Sequence, residues 1–288
     1  MDSCCVLLEP LYNRLKQKIL DSDYIQVDES PIKVLDSDKK GTTHQGYQWV
    51  YHDPLTKLVL FNYRKGRGQH GPKELLADYK GYLQCDGYSV YDKIGEHPDI
   101  VLVGCLAHAR RKFHEALKND KARAEKALGL FRDIYLEARK IKEQEEDFEK
   151  RKKLREQTIK PLLETIREWI TQQQFNVLPK SPIAKAMRYF LNQYSKLLAI
   201  FEDGRLELDN NLVENAIRPL ALGRKFFLFF GSHRAAQNAA MIYSFLGSCK
   251  MQNINPRLWL QHTLEKIPEH NIQKLDQLLP DYQQNPNT

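Results

Sequence analysis

Two short strings, "YIQVD" at 24–28 and "YLQCD" at 82–86, carry the residues best suited to chemistry. In each, Tyr, Gln and Asp alternate with apolar residues, so in an extended strand the aspartate shares a face with its Gln and Tyr. A carboxylate at the end of a buried strand is costly unless it is paired, hydrogen-bonded or bound to a metal. If the two strands are neighbours, Asp28 and Asp86 converge at one end of a sheet. That arrangement suits Mg²⁺ or Mn²⁺, hard cations that prefer oxygen ligands. Chance repetition of so short a string is the competing explanation.

A third oxygen ligand would come from "ELDNNLVENAIRPL" at 207–220. Asp209, Asn210 and Asn211 are helix-capping types. On a helical wheel Leu212, Val213, Ala216, Ile217 and Leu220 form one apolar face, with Glu214 on its flank in the first turn. A helix packed by that face would hold Glu214 at the rim of the core, leaning over the strand ends. Equally, Glu214 and Arg218 stand i,i+4 and read as an ordinary surface pair.

The elements that must position these groups follow from local pattern. Residues 5–20 read as a short amphipathic helix. Segments 24–36, 46–54 and 57–63 are rich in β-branched and aromatic residues between turn signals, which predicts an antiparallel meander. Segment 71–79 reads as a helix opened by proline. Segments 82–86 and 99–109 read as further strands, with a short helix at 90–95 between them. From 109 to 198 the periodicity is helical, broken by Pro161 and by Pro179 with Pro182. The charged run 137–160 is most simply a solvated helical hairpin. A helix from Ser232 to Lys250, with Ser232 as N-cap, and a helical tail that frays complete the chain.

Bulk composition narrows the class. The 288 residues are 42% hydrophobic and 28% charged, with 14 glycines and 13 prolines, which fits a globular chain able to bury a full core. No run approaches the length of a membrane span, "KFFLFF" included. The first twenty residues hold charged side chains and no signal-peptide pattern. The net charge of +7 and the pI near 9.0 suit a polyanionic partner, although mild basicity is common. Cys4, Cys5, Cys85, Cys105 and Cys249 form no CxxC pair, so a zinc ribbon or disulfide framework is not indicated, and free thiols fit a cytoplasmic setting.

Taken together, "YIQVDESPIKVL", "YLQCDGYSVYDKI", "GCLAHARRKF", "ELDNNLVENAIRPLALGRK", "FGSHRAAQNAAMIYSFLGSCK" and "PRLWLQHTLEKI" resemble, in order, the catalytic domain of transposases of the insertion sequence 66 family. These belong to the DDE transposase group. The resemblance implies an α/β fold with a ribonuclease-H-like core, a mixed five-stranded sheet flanked by helices, and a large all-helical insertion before the glutamate helix. It implies the layout 1–22 N-terminal helix, 23–109 first part of the core, 110–204 insertion, 205–252 second part of the core and 253–288 tail. The 128 positions between Asp86 and Glu214 (214 − 86) agree with an insertion.

The same resemblance implies that Asp28, Asp86 and Glu214 are the catalytic, metal-binding triad. Two Mg²⁺ or Mn²⁺ ions, with Asp28 bridging them, would serve cleavage and strand transfer of DNA in a homo-oligomeric complex. Candidate phosphate contacts are His108, Arg110, Arg111 and Lys112 in one stretch, and Arg218, Arg224, Lys225, His233 and Arg234 in another. Each of these cations also reads as a plain surface charge. Cys105 and His108 form a C-x₂-H pair without a second half, more readily a buried cysteine and histidine at a strand-to-helix turn than a zinc site. Glu29, on the opposite face of its strand, reads as structural. Family members carry an N-terminal zinc-binding module and a zipper-like helix. Here only 27 residues precede Asp28, which suggests an excised fragment or the product of a split element. A nuclease of the ribonuclease H type without strand transfer and an inactive DNA-binding remnant are the rival expectations.

Overall fold

The computed structural model describes residues 2–35 and 41–282. Asp36, the last residue of the expected first strand, and the end of the tail lie outside that description. The described chain forms α1 (Asp2–Leu20), β1 (Tyr24–Leu35), β2 (Thr43–His52), β3 (Val59–Arg64), α2 (His70–Leu75), β4 (Gly81–Gln84), α3 (Ser89–Ile94) and β5 (Ile100–Val103). Then come α4 (Leu106–Glu115), α5 (Lys121–Gln144), α6 (Phe148–Gln173), α7 (Pro182–Leu198), α8 (Asn211–Phe227), α9 (His233–Met251) and α10 (Pro256–Lys266). The strands make one sheet in the order β3-β2-β1-β4-β5. β1, β2 and β3 are the predicted antiparallel meander. Gly81 N–H donates to Asp99 and Cys85 N–H to Val103, partners advancing together, so β4 and β5 run parallel and the sheet is mixed. Among the described residues no helix is long and apolar enough to cross a membrane.

The chain divides into two compact units. One comprises residues 1–83, 92–100 and 211–288. Its core is Ile32, Val34, Val50, Val59, Phe61 and Tyr63 from the sheet against Val213, Ala216, Ile217 and Leu220 of α8 and Ala236 and Ala240 of α9. β3 is an edge strand, and exposed edges invite pairing with other chains. Here α9 closes it. Ser248 Oγ accepts the Val59 N–H at 2.9 Å and Ser244 Oγ accepts the Phe61 N–H at 2.7 Å. From α1, whose Cys5, Leu8, Leu11, Leu15 and Ile19 form a buried stripe, the Tyr12 hydroxyl donates to the Phe61 carbonyl.

The other unit comprises residues 84–91 and 101–210. Its helices are capped by side chains that accept first-turn amides: Asp120 from Arg123, Asp147 from Lys150 and Ser181 from Ala184. Phe113, Phe131 and Phe190 pack in series, tilted and then edge-on, with ring centroids 5.7 and 6.1 Å apart. The charged run is the predicted hairpin, turning between α5 and α6.

Three expectations need correction. Pro161 does not break a helix but sits inside α6, on its exposed face. The one carbonyl its missing N–H leaves over, that of Gln157, is on an exposed residue where water can serve it, while Ile159, Leu163, Ile166 and Ile170 stay buried. The fifth strand is only Ile100–Val103, and α4 starts at Leu106, because Gly104 turns the chain after four strand residues. A Cβ at Gly104 would crowd Leu197 at 3.1 Å. The helix foreseen over 71–79 is the shorter α2, ending at Leu75.

Candidate active site

In the first unit the register of β1 against β2 runs without a break from Gln26 opposite His52 to Leu35 opposite Thr43. Even-numbered residues of β1 therefore share one face. Gln26 Nε2 donates to the Tyr24 hydroxyl at 3.2 Å, which confirms that these two share it. That face is the one α8 covers. Gln26 Oε1 accepts the Val213 N–H at 3.2 Å, and Ser30 Oγ accepts from Arg224 Nη1 at 3.0 Å. Asp28 stands between Gln26 and Ser30, so its carboxylate lies on the side that α8 covers. It is half-buried, and its Oδ1 accepts the Glu29 N–H at 2.8 Å.

Glu214 follows Val213 in the first turn of α8. There the unsatisfied amides and the helix dipole favour a carboxylate. The buried residues of α8 are Val213, Ala216, Ile217 and Leu220, four of the five on the predicted apolar face; Leu212 is only half-buried. Glu214 is half-buried with Oε1 shielded from solvent, whereas Arg218 is exposed. On the opposite face of β1, the Glu29 side chain is 3% exposed and paired with Arg67 at 2.6 Å, which fits a structural role.

In the second unit Asp86 lies two residues past β4. Its Oδ1 accepts the Tyr88 N–H at 2.9 Å, a local turn that fixes the carboxylate. Gly87 permits this turn to meet Tyr189, since a Cβ there would stand 2.7 Å from the ring. Burial pushes the Tyr189 phenol up, and the charge of Asp86 adds to the shift, so the hydroxyl stays protonated. The segment leading to α8 is pinned residue by residue. Arg155 donates to the Leu206 carbonyl at 2.6 Å, Gln84 Nε2 to the Glu207 carbonyl at 2.8 Å and Leu106 N–H to the Leu208 carbonyl at 3.0 Å. Tyr135 donates to Asp209 at 2.9 Å, its own phenol driven up by burial.

The cationic candidates separate by environment. His108 lies in the first turn of α4, half-buried, with Nδ1 shielded. Arg110, Arg111 and Lys112 do not open that helix, as the pattern suggested, but stand beyond its first turn because the helix begins at Leu106. Arg110 and Arg111 are exposed, and Lys112 lies 3.6 Å from Glu115. Arg218 and Lys225 are exposed on α8. Arg224 is tied back to β1 through Ser30 and the Pro31 carbonyl. His233 Nδ1 is hydrogen-bonded to the Tyr63 hydroxyl at 2.6 Å, and Arg234 lies 3.5 Å from Asp2.

Gln26 and Gln84 are the residues whose hydrogen bonds to distant segments the sequence reading passed over. Each was visible as the repeated glutamine of the twin strings, but its partner lies far along the chain. As a donor set, two aspartates and a glutamate offer only hard oxygens, the chemistry Mg²⁺ and Mn²⁺ take. Among the described residues no three His, Cys, Asp or Glu side chains are gathered closely enough to share an ion.

Comparison with known proteins adds a family. The model described as "Transposase IS66 family" matches residues 1–238, and that of the "IS66 C-terminal element" matches residues 244–280. The uncharacterized proteins y4hP and y4jD of Sinorhizobium fredii (strain NBRC 101917 / NGR234) are 30% and 29% identical over 296 and 288 residues. Those alignments cover 95% of this chain in both cases, and 53% and 56% of the two relatives. The chain thus spans about half the length of the curated relatives it matches. No solved structure matches it.

Proposed function

The chain belongs to the IS66 transposase family, and from that membership we propose that it carries the catalytic core of a transposase, cutting and joining DNA by phosphoryl transfer. Asp28, Asp86 and Glu214 are the residues assigned to hold two Mg²⁺ or Mn²⁺ ions. Bound there, such ions would activate water or a 3′-hydroxyl and balance charge on the reacting phosphate. The observation that carries this reading is the Gln26–Val213 hydrogen bond. It fixes the first turn of α8, and so Glu214, on the face of β1 that bears Asp28. Asp86, whose carboxylate accepts the Tyr88 N–H in its own turn, is the residue proposed as the third ligand.

The remaining roles follow from the side chains. Arg110, Arg111, Arg218 and Lys225 would neutralise DNA phosphates, with Lys112, His108, His233 and Arg234 beside them. Arg224 would set the helix on the strand rather than meet DNA. We read the mixed five-stranded sheet with its helices as a ribonuclease-H-like core, and the active assembly as a homo-oligomer, because two element ends must be cut and joined together. The reaction takes place in the cytoplasm on this account.

A supercoiled plasmid carrying element ends, incubated with the chain and Mg²⁺, tests the proposal. Nicked and joined products are expected from the wild type, and neither from Asp86→Asn, which should still bind DNA. Nicks without joined products would replace the proposal by a nuclease. DNA binding with no product from the wild type would replace it by an inert remnant.

A further inference from the structure

The sequence "GRKFFLFFGSHR" at 223–234 ends α8 and leads into α9; Phe230 packs against the core, but the apolar residues before it are left exposed. Phe226 is 85% exposed, Leu228 62% and Phe229 41%. With Phe227 at 36%, four consecutive apolar side chains are exposed here, and such patches mark binding surfaces.

The turn is rigidly mounted. Phe230 N–H donates to the Lys33 carbonyl and the Phe230 carbonyl accepts the Leu35 N–H, both at 2.8 Å, so the chain just past the tip is laced to β1. The rings of Phe227 and Phe230 meet with centroids 4.9 Å apart. Leu228 has φ +62°, a left-handed conformation that costs a side-chain-bearing residue energy and is held here by the bracing on both sides. The tip is thus a fixed projection rather than a collapsed loop.

Its electrostatic setting selects the partner. Between Glu214 and Glu265 the sequence holds no acidic residue; exposed Lys225 directly precedes the tip, and exposed Lys33 lies on the strand to which Phe230 is laced. A cationic surround of this kind suits a polyanion. Aromatic faces within a basic field fit nucleic acid, whose bases stack on the rings while cations meet the backbone. Paired bases in a duplex present no free faces, so the fitting ligand is DNA with unpaired bases. From Glu214 to Phe226 is twelve residues of helix, about 18 Å. One strand advances about 3.4 Å per nucleotide. The tip therefore stands about five nucleotides from Glu214, a residue assigned to hold the metal ions.

We propose that Phe226, Leu228 and Phe229 form a stacking platform for unpaired bases flanking the cut in DNA. This rests on the transposase reading for its partner, not for its test. The probe is a duplex of arbitrary sequence with a single-stranded 3′ overhang carrying 2-aminopurine, titrated with the full chain in the absence of divalent cation. Stacking quenches the fluorophore. The triple variant Phe226→Ala, Leu228→Ala, Phe229→Ala is expected to lose the quench and to bind the overhang about tenfold more weakly. Its affinity for the fully paired duplex should stay within about twofold, since phosphate contacts dominate there. Phe226→Trp should retain the quench, which separates loss of stacking from loss of fold.

No quench with the wild-type chain would overturn the proposal, as would equal weakening on paired and overhanging DNA. So would a triple variant that binds DNA normally but changes from dimer to monomer in light scattering, because the tip would then be a contact between copies. Cleavage plays no part in this titration, so a chain that stacks bases without cutting would sink the catalytic reading alone.

Discussion

Gln26 is a buried amide that ties a strand to a helix 187 positions away, and replacing it isolates what that tie contributes. In Gln26→Leu the Val213 N–H loses its acceptor, which costs about 1–3 kcal/mol for a buried donor. Thermal unfolding should register that loss, and DNA cleavage should fall through turnover with DNA affinity nearly unchanged, because Glu214 shifts while the surface cations do not. A variant that unfolds earlier but cuts at the wild-type rate would show that the bond only stabilises. The sequence made part of this site legible. Alternation put Asp28 on the same face as Gln26, and the apolar wheel set Glu214 on the flank of the buried stripe. What it could not provide was the partner of either glutamine, because a hydrogen bond across such a separation leaves no periodic trace.

Elements were legible where one period dominated. The meander, the Ser232 cap and the α5–α6 hairpin follow directly from alternation, capping chemistry and charge spacing. The misreadings came where a local rule met tertiary context. Pro161 is tolerated because it faces solvent, and β5 is short because Gly104 must turn against Leu197. Serines at 244 and 248 gave no hint in sequence that they close a sheet edge. Ser248→Ala removes the acceptor of the Val59 amide, and Ser244→Ala that of the Phe61 amide. Each should cost about 1–3 kcal/mol, with hydrogen exchange at that one amide speeding up selectively. Gly204→Ala is the harsher test in the second unit. Its Cβ would fall 1.9 Å from the Phe148 carbonyl oxygen, backbone that has nowhere to yield, so a loss on the order of 3 kcal/mol is expected in thermal denaturation.

For the molecule as a whole, charge adds little to stability and bears mainly on the proposed DNA affinity. In the first unit the chain's two ends are joined, Arg14 to Asp276 at 2.6 Å and Lys18 to Asp281 at 2.5 Å. Asp276 is held below the usual carboxylate range by its hydrogen bond to Arg14. Since the folded value lies below the unfolded one, the pair's contribution is present above the ordinary carboxylate range and fades as pH falls through the depressed value. Both groups are partly exposed, so the effect is small. Arg14→Ala should flatten the acid side of the stability–pH curve and leave neutral stability little changed. The basic stretch after Glu214 predicts DNA affinity that falls steeply with salt. Lys225→Ala should lower the slope of log affinity against log salt by about one, whatever the DNA sequence.

The central claim is that Asp28, Asp86 and Glu214 act as one set of metal ligands, and its most direct measurement is anomalous scattering from crystals of the chain with cleaved DNA and Mn²⁺. The account predicts manganese peaks coordinated by all three carboxylates, lost in Asp86→Asn. Manganese bound at other side chains, with these three left unligated, would contradict it.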